Sequence, residues 1–429
     1  MTGPVIGYVG MTHLGLNSAV AAADKGFEIV CYDPDPQRIA ALNRRELPVV
    51  EPDLPQLLEK NAGRLRFTAD PHGLAPCDVV YIAPDVPTDD NGQSDLGPID
   101  TLIRQVDSVL RSNVVMVILS QVPPGFTRAR IRPGRYLHYQ VETLIFGRAM
   151  ERARFPERFI IGCAEPVQPL SPTYAKFLAG FDCPILPMRY ESAELAKISI
   201  NMCLVASVGV ANTMAELCEQ TGADWSEIVP ALKLDKRIGQ QAYLAPGLGL
   251  AGGNLERDLA TVSTLSEKHG TDGGIVSAWV ENSRHRKDWT WKTLNQLVLT
   301  QNPGAKIAVL GLAYKEDTHS TKNSPSLSLL SHLQDCSVVV YDPVVSSSDA
   351  GIPFKSVSNA MEAVRDADAV CIMTPWGEFK KLLPLDLAKQ MHGRWLIDPY
   401  RVIDSKAARV AGLQYVTLGV SPEKNQSHA

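Results

Sequence analysis

The 429-residue sequence has no basic excess: 42 Lys and Arg stand against 47 Asp and Glu, a formal net charge of −5. A nucleic-acid binder needs a positive footprint for the phosphate backbone, so no nucleic-acid partner is expected. Uninterrupted apolar runs fall short of the ~20 residues that span a bilayer. The opening MTGPVIGYVG lacks a charged segment followed by a cleavage site. No membrane partner and a cytoplasmic location are the expectation. The eight cysteines (Cys31, Cys77, Cys163, Cys183, Cys203, Cys218, Cys336 and Cys371) form no C-x-x-C pair and no Cys/His ligand spacing. They read as reduced, mostly buried small apolar residues, with no metal site. Hydrophobic residues at 45% and charged residues at 21% exclude a disordered chain.

What is present is α/β alternation. At ~100–200 residues per domain the length predicts two or three units. Val5–Val9, Glu28–Tyr32, Leu65–Thr68, Val79–Ala83 and Val114–Ser120 read as strands separated by helical periods, the pattern of a parallel sheet covered on both faces. From Glu191 the β pattern disappears, and an apolar stretch from Glu194 through Leu217 predicts a long buried helix. A helix apolar on so much of its circumference serves as a strut between domains and as a dimer interface. A second alternation comprises Lys306–Gly311, Ser337–Tyr341, Ala369–Met373 and Trp395–Ile397, with no clear sequence repeat of the first. The expected fold is α/β: two Rossmann-like doubly wound domains, 1–190 and 300–429, joined by a central helical domain, 191–299. The polar tail Pro422–Ala429 is expected to fray.

Directly after the first strand, Gly10-Met11-Thr12-His13-Leu14-Gly15 fits G-x-G-x-x-G except at Thr12. Gly10 makes the tight turn, Gly15 lets the helix pack on the strand, and the helix N-terminus faces the phosphates. Thr12 must point away or hydrogen-bond a phosphate itself. Asp33 ends the second strand where a carboxylate accepts from the adenosine ribose, and Arg38 follows five residues later. The acid favours NAD over NADP. His13 either lies along the pyrophosphate or is a partly buried helix-start histidine.

Further segments resemble one family, the UDP-glucose/GDP-mannose dehydrogenases, over nearly the whole chain. Pro84-Asp85-Val86-Pro87-Thr88 is similar to its valine-x-threonine-proline loop, and Ser120-Gln121-Val122-Pro123-Pro124-Gly125 to its proline-proline-glycine turn. Val141-Glu142-Thr143-Leu144 resembles its proline-glutamate-phenylalanine-leucine run, and Glu194-Leu195-Ala196-Lys197 with Asn201 its central catalytic helix. Asp235-Lys236-Arg237 resembles a segment whose arginine reaches a sugar nucleotide across a subunit boundary. Tyr314-Lys315 through Lys322-Asn323-Ser324-Pro325 resembles the opening of the nucleotide-sugar domain. The resemblance implies a homodimer joined through the central helix and a nucleotide-sugar substrate. It implies Pro84, Ser120, Gln121 and Lys322 beside NAD. Leu144, Lys197, Asn201, Arg237, Tyr243, Gly249, Lys315 and Arg401 are implied as substrate contacts.

Members of that family oxidise an alcohol twice through a thioester on one cysteine. Here the loop reads Gly247-Leu248-Gly249-Leu250-Ala251-Gly252-Gly253-Asn254, and alignment on Asp258 puts Asn254 in the cysteine column. An amide can neither attack a carbonyl as a thiolate does nor form a hydrolysable thioester. Gln121, Phe146, Arg257 and Val141 depart from the pattern as well, and Arg401 falls one residue after the family arginine. Lys197 and Asn201, at i, i+4 on one helix face, are suited to polarise a hydroxyl. Asp258 is a candidate base and Glu142 can orient a water. The leading expectation is one alcohol-to-carbonyl oxidation of a nucleotide-activated hexose, a UDP-sugar first. The alternatives are epimerisation with retained NAD, binding without turnover, and complete 6-dehydrogenation by another nucleophile, for which Cys203, near Asn201 on the central helix, is the candidate.

Overall fold

The structure, a computed structural model, describes residues 3–89, 92–142 and 144–421. The tail Pro422–Ala429 lies outside them. The chain forms two compact units, Met1–Ile200 and Asn201–Ala429.

The first unit holds β1 (Val5–Val9), β2 (Glu28–Tyr32), β3 (Leu65–Thr68), β4 (Val79–Ile82), β5 (Val115–Ile118), β6 (Tyr136–Gln140), β7 (Phe159–Cys163) and β8 (Ile185–Arg189). They lie in the order β3-β2-β1-β4-β5-β6-β7-β8. In β1, Ile6 pairs with Ile29 and Val79, and Tyr8 with Cys31 and Tyr81. Successive residues point to opposite faces: Ile29, Cys31, Val79, Tyr81, Val115 and Val117 join one buried cluster. Val30, Tyr32, Val80, Ile82, Met116 and Ile118 join another. Burial on both faces is why these strands read as continuous apolar runs.

The last three strands carry no such signal. β6 opens on the exposed Tyr136 and includes His138, and β8 is an edge strand that tolerates Pro187. The pairing of β6 with β7 is antiparallel, where an all-parallel sheet was expected. The His138 ring stacks on Tyr174 at 5.2 Å, and burial pulls its pKa from 6.5 down to about 4. Between those values the unfolded chain holds a proton that the native chain excludes, so stability falls as pH falls through that window. The steepest slope is ~1.4 kcal/mol per pH unit. In His138→Phe, which keeps a stacked ring, urea midpoints between pH 6.5 and 4 are expected to decline less than in the wild type. An identical decline would remove His138 as the cause.

The second unit carries β9 (Lys306–Leu310), β10 (Ser337–Tyr341), β11 (Lys355–Ser356), β12 (Ala369–Ile372), β13 (Trp395–Ile397) and β14 (Gln414–Val416). Their order, β11-β10-β9-β12-β13-β14, repeats that of β3-β2-β1-β4-β5-β6. A short sequence repeat accompanies it, overlooked in the sequence because it spans three residues: Tyr32-Asp33-Pro34 and Tyr341-Asp342-Pro343. In each, the tyrosine carbonyl accepts from a turn glycine, Gly10 at 2.8 Å and Gly311 at 2.7 Å. The aspartate then accepts from the next amide, Met11 at 2.6 Å and Leu312 at 2.7 Å. Two Rossmann-like doubly wound domains with a central helical region are thus the architecture.

The long helix runs from Tyr190 to Thr221, 32 residues. It is not the buried helix expected, since Leu195, Val210, Met214 and Leu217 are 40–55% exposed. By length and composition alone it also meets the requirement for a bilayer span, contrary to the absence of such a run read from the sequence. Four buried polar side chains tie it into globular packing. Glu194 accepts from the Gly125 and Thr127 amides, and Asn201 donates to Asp258. Asn212 accepts from the Gly247 amide, and Glu219 accepts from Arg286 and Trp289.

Candidate active site

The dinucleotide loop leaves β1 at Gly10, whose φ of +91° suits glycine. A side chain at Gly15 would stand 1.9 Å from the Gly10 carbonyl oxygen, so only glycine lets the helix His13–Asp24 start this close to the turn. The Thr12 hydroxyl accepts from the Asp85 amide at 2.9 Å. Leu14 packs against one of the first unit's cores. Asp33 is buried and accepts from the Met11 and Asp35 amides. It also ion-pairs with Arg38 at 2.9 Å. The Asp33 carboxylate is thereby fixed in place at the end of β2.

Ser120 donates to the Pro84 carbonyl at 2.5 Å, holding the end of β5 against the turn that follows β4. Gln121 is half-buried at the same edge. His13 is buried, with Nε2 2.7 Å from Glu51, and its ring meets Phe146 at 4.0 Å. Glu142 and Leu144 are half-buried, and Glu142 stands within electrostatic reach of Tyr8, whose phenol is pushed well up by burial first and by that carboxylate second.

Sequence reasoning missed Asp85, although the residue lies in a quoted motif. Its carboxylate accepts from the His13 amide at 3.0 Å, at the positive end of the helix where a diphosphate would bind. A carboxylate there would compete with the cofactor for the same amide. Asp85→Asn keeps an acceptor and removes the charge, so it is expected to tighten NAD binding about 2- to 5-fold, the equivalent of the ~0.3–1 kcal/mol of a charge at a helix terminus. The gain should shrink with added salt. Calorimetric titration with NAD checks it, and weaker binding would refute the competition.

In the second unit the segment Gly247–Asn254 is held by its backbone. Leu250 donates to the Ser283 hydroxyl at 2.8 Å, and a side chain on Gly249 would lie 2.4 Å from the Ser283 carbonyl oxygen. Gly252 donates to the Lys322 carbonyl at 3.0 Å. Gly252 and Gly253, with φ of +87° and +90°, deliver Asn254 as the first residue of the helix Asn254–His269, with its side chain exposed. Tyr314 packs on Gly252 and the Lys322 chain on Gly253, and Lys315 lies 5.8 Å from the Tyr314 ring. Asp258, fully buried, accepts from Asn201 at 2.5 Å and pairs with Arg257 at 3.4 Å.

Sequence profiles for the NAD binding, central and UDP binding domains of the UDP-glucose/GDP-mannose dehydrogenase family match residues 5–175, 191–284 and 308–405. The UDP-glucose 6-dehydrogenase of Pseudomonas aeruginosa is 30% identical over 439 residues, 96% of each chain. The chain belongs to this family. The UDP-glucose 6-dehydrogenase TuaD of Bacillus subtilis is 28% identical, over 96% of this chain and 93% of its own. The structure of a UDP-glucose dehydrogenase from Pyrobaculum islandicum superposes with a TM-score of 0.82 at 25% identity, covering 96% of this chain and 97% of that one.

As a UDP-glucose/GDP-mannose dehydrogenase family member, the protein is an NAD-dependent oxidoreductase acting on the CH–OH group of a nucleotide sugar. The first unit fits NAD: two glycines clear the backbone, a helix N-terminus faces the turn, and a buried carboxylate closes β2. Other predicted contacts are spread more widely. Lys197 is half-buried one turn before Asn201. Tyr243 is 50% exposed, and Arg237 is exposed and paired with its neighbour Asp235 at 2.6 Å. Arg401, at a φ of +54°, reaches Asp224 at 3.3 Å.

Burial pushes the Cys77 and Cys371 thiols up to about 12 and Cys163 to about 11, and raises Cys31 further. Cys203 is exposed on the long helix. Two residues on from the buried Asn201, it points roughly 200° around the helix axis from it.

Proposed function

We propose that this protein removes one hydride from one carbinol carbon of a UDP-activated hexose and stops at the carbonyl. The observation that carries this reading is Asn254 at the head of its helix, where relatives would need a nucleophile for the second oxidation. Nothing in the first oxidation calls for sulfur: alignment, a hydride acceptor and a base suffice. NAD, when bound, supplies that acceptor. Gly10, Thr12, Leu14 and Gly15 shape its cradle with His13, while Asp33 and Arg38 take its ribose. Pro84, Ser120, Gln121 and Lys322 are further candidates along it.

Lys197 would hold the substrate oxygen as its charge grows, and Asn201 would keep Asp258 turned toward the hydroxyl. Asp258 would take the hydroxyl proton, and Glu142 would fix a water in the site. Leu144, Arg237, Tyr243, Gly249, Lys315 and Arg401 would contact the nucleotide sugar. The domains divide these roles, with residues 1–190 for NAD, 300–429 for the nucleotide sugar and 191–299 for a homodimer. The apolar side chains left exposed on the long helix support that dimer, and a cytoplasmic location fits the polar anchoring of the same helix.

Incubation with NAD and a panel of UDP-, GDP- and dTDP-sugars, followed by mass spectrometry, tests the reading. The expected product is lighter than its substrate by two hydrogens. A product that has gained one oxygen and lost two hydrogens would overturn it. An unchanged mass with turnover would point to epimerisation.

A further inference from the structure

Glu51 belongs to none of the motifs above, yet its side chain is fully enclosed. It sits in the connection between the helices Pro36–Asn43 and Leu54–Lys60. One oxygen accepts from His13 Nε2 at 2.7 Å and from the Gly147 amide at 2.9 Å. The other accepts from the amides of Gly147 at 3.0 Å and Ala149 at 3.2 Å. Burial raises its pKa, but the His13 and backbone hydrogen bonds outweigh burial and leave it below the ordinary value. A buried carboxylate that keeps its charge holds its donors tightly.

The donors come from two places of different use. His13 opens the helix at the dinucleotide loop, and its amide already contacts Asp85. Gly147 and Ala149 follow Glu142, proposed to fix a water in the site, and Leu144, a proposed sugar contact. Phe146, between those groups in sequence, makes a second link by resting its ring on His13 at 4.0 Å with 30° between the planes. The first turn of the cofactor helix and the segment 144–149 are therefore clamped through one imidazole.

We propose that Glu51 is a positioning residue that couples cofactor binding to the order of segment 144–149, so that NAD prepares the site for the nucleotide sugar. Glu51 touches neither ligand and acts through His13. A phosphate drawn to the helix N-terminus displaces Asp85 from the His13 amide and fixes the first turn. Fixing His13 fixes the carboxylate, and with it the two amides that hold the segment. Coupling of this kind is reciprocal, so the nucleotide sugar must tighten NAD by the same factor. The sugar-side half rests on the function proposed above.

Hydrogen–deuterium exchange of the full chain, with and without NAD, reads the first half alone. NAD is expected to slow exchange in 144–149 on the order of 10-fold in the wild type. Glu51→Gln and Phe146→Leu should lose most of that slowing while each still binds NAD. Phe146, partly exposed, gives a variant that folds if the buried substitution does not. Equal slowing in wild type and variants, or none in the wild type, overturns the coupling. Titration with UDP-glucose, with and without saturating NAD, reads the second half: affinity should rise on the order of 10-fold with NAD in the wild type and stay level in both variants. If UDP-glucose and other nucleotide sugars bind neither form while the exchange pattern holds, the substrate reading falls and the link from NAD to the segment stands.

Discussion

Lys197→Ala is expected to cut turnover at least ~100-fold while leaving the NAD dissociation constant within about 2-fold of wild type, the signature of a group whose work lies in the transition state. Asn201, one turn after Lys197, is buried and donates to Asp258, so the face shared by positions 197 and 201 turns inward. Lys197 itself is only half-buried, which allows its ammonium to meet a substrate oxygen and spares it the cost of a fully enclosed charge. As the carbinol proton leaves, negative charge builds on that oxygen, and a fixed cation is worth most at that moment. Lys197→Arg should not restore the rate, because a planar fork cannot occupy the place of a compact ammonium. Steady-state NADH absorbance against calorimetric NAD binding separates the two effects. Unchanged turnover in Lys197→Ala would remove the residue from the mechanism.

Legibility in the sequence followed burial. β1, β2, β4 and β5 lie between two covered faces, so Val79–Ile82 is apolar at every position and announces itself. β6 to β8 form the far side of the sheet, with His138 stacked on Tyr174 and Pro187 tolerated at the edge, and no periodic pattern marks them. The long helix was visible by composition, but composition does not distinguish a covered apolar residue from Val210 or Leu217, which face outward. The dinucleotide loop was legible because its parts lie close in sequence and glycine is sterically required there. Glu51 and Asp85 were not: the first is 38 residues from His13 and the second 72, and no local spacing records such contacts. Asp33 was recognised as an acid at the end of β2, while its hold on the Met11 amide and the identical arrangement at Asp342 emerged only from the packing.

Asn254→Cys is expected to change the product, which is a larger effect than any change of rate. The position is prepared for a thiolate although it carries an amide. It is the first residue of a 16-residue helix, where the positive end of the backbone dipole lowers a thiol pKa. The preceding glycine has no side-chain cap on that helix, and the Lys322 chain lies against that glycine. The side chain at 254 is exposed, unlike the buried thiols whose pKa values are driven up. A thiolate there can attack the carbonyl formed in the first oxidation, and a second hydride transfer then leaves a thioester. Enzyme and substrate together have lost two hydrides and two protons at that stage. Release of the acid needs a positioned water, and Gln121 and Phe146 are two of the positions at which this sequence departs from the pattern it resembles. The acyl adduct should therefore accumulate on Asn254→Cys and resolve slowly to a product that has gained one oxygen and lost two hydrogens. Intact-protein mass spectrometry after mixing with NAD and the active UDP-sugar detects the adduct. If the substituted protein still yields only the carbonyl, with no adduct, the residue at 254 does not face the reacting carbon, and the case for a truncated oxidation loses its basis.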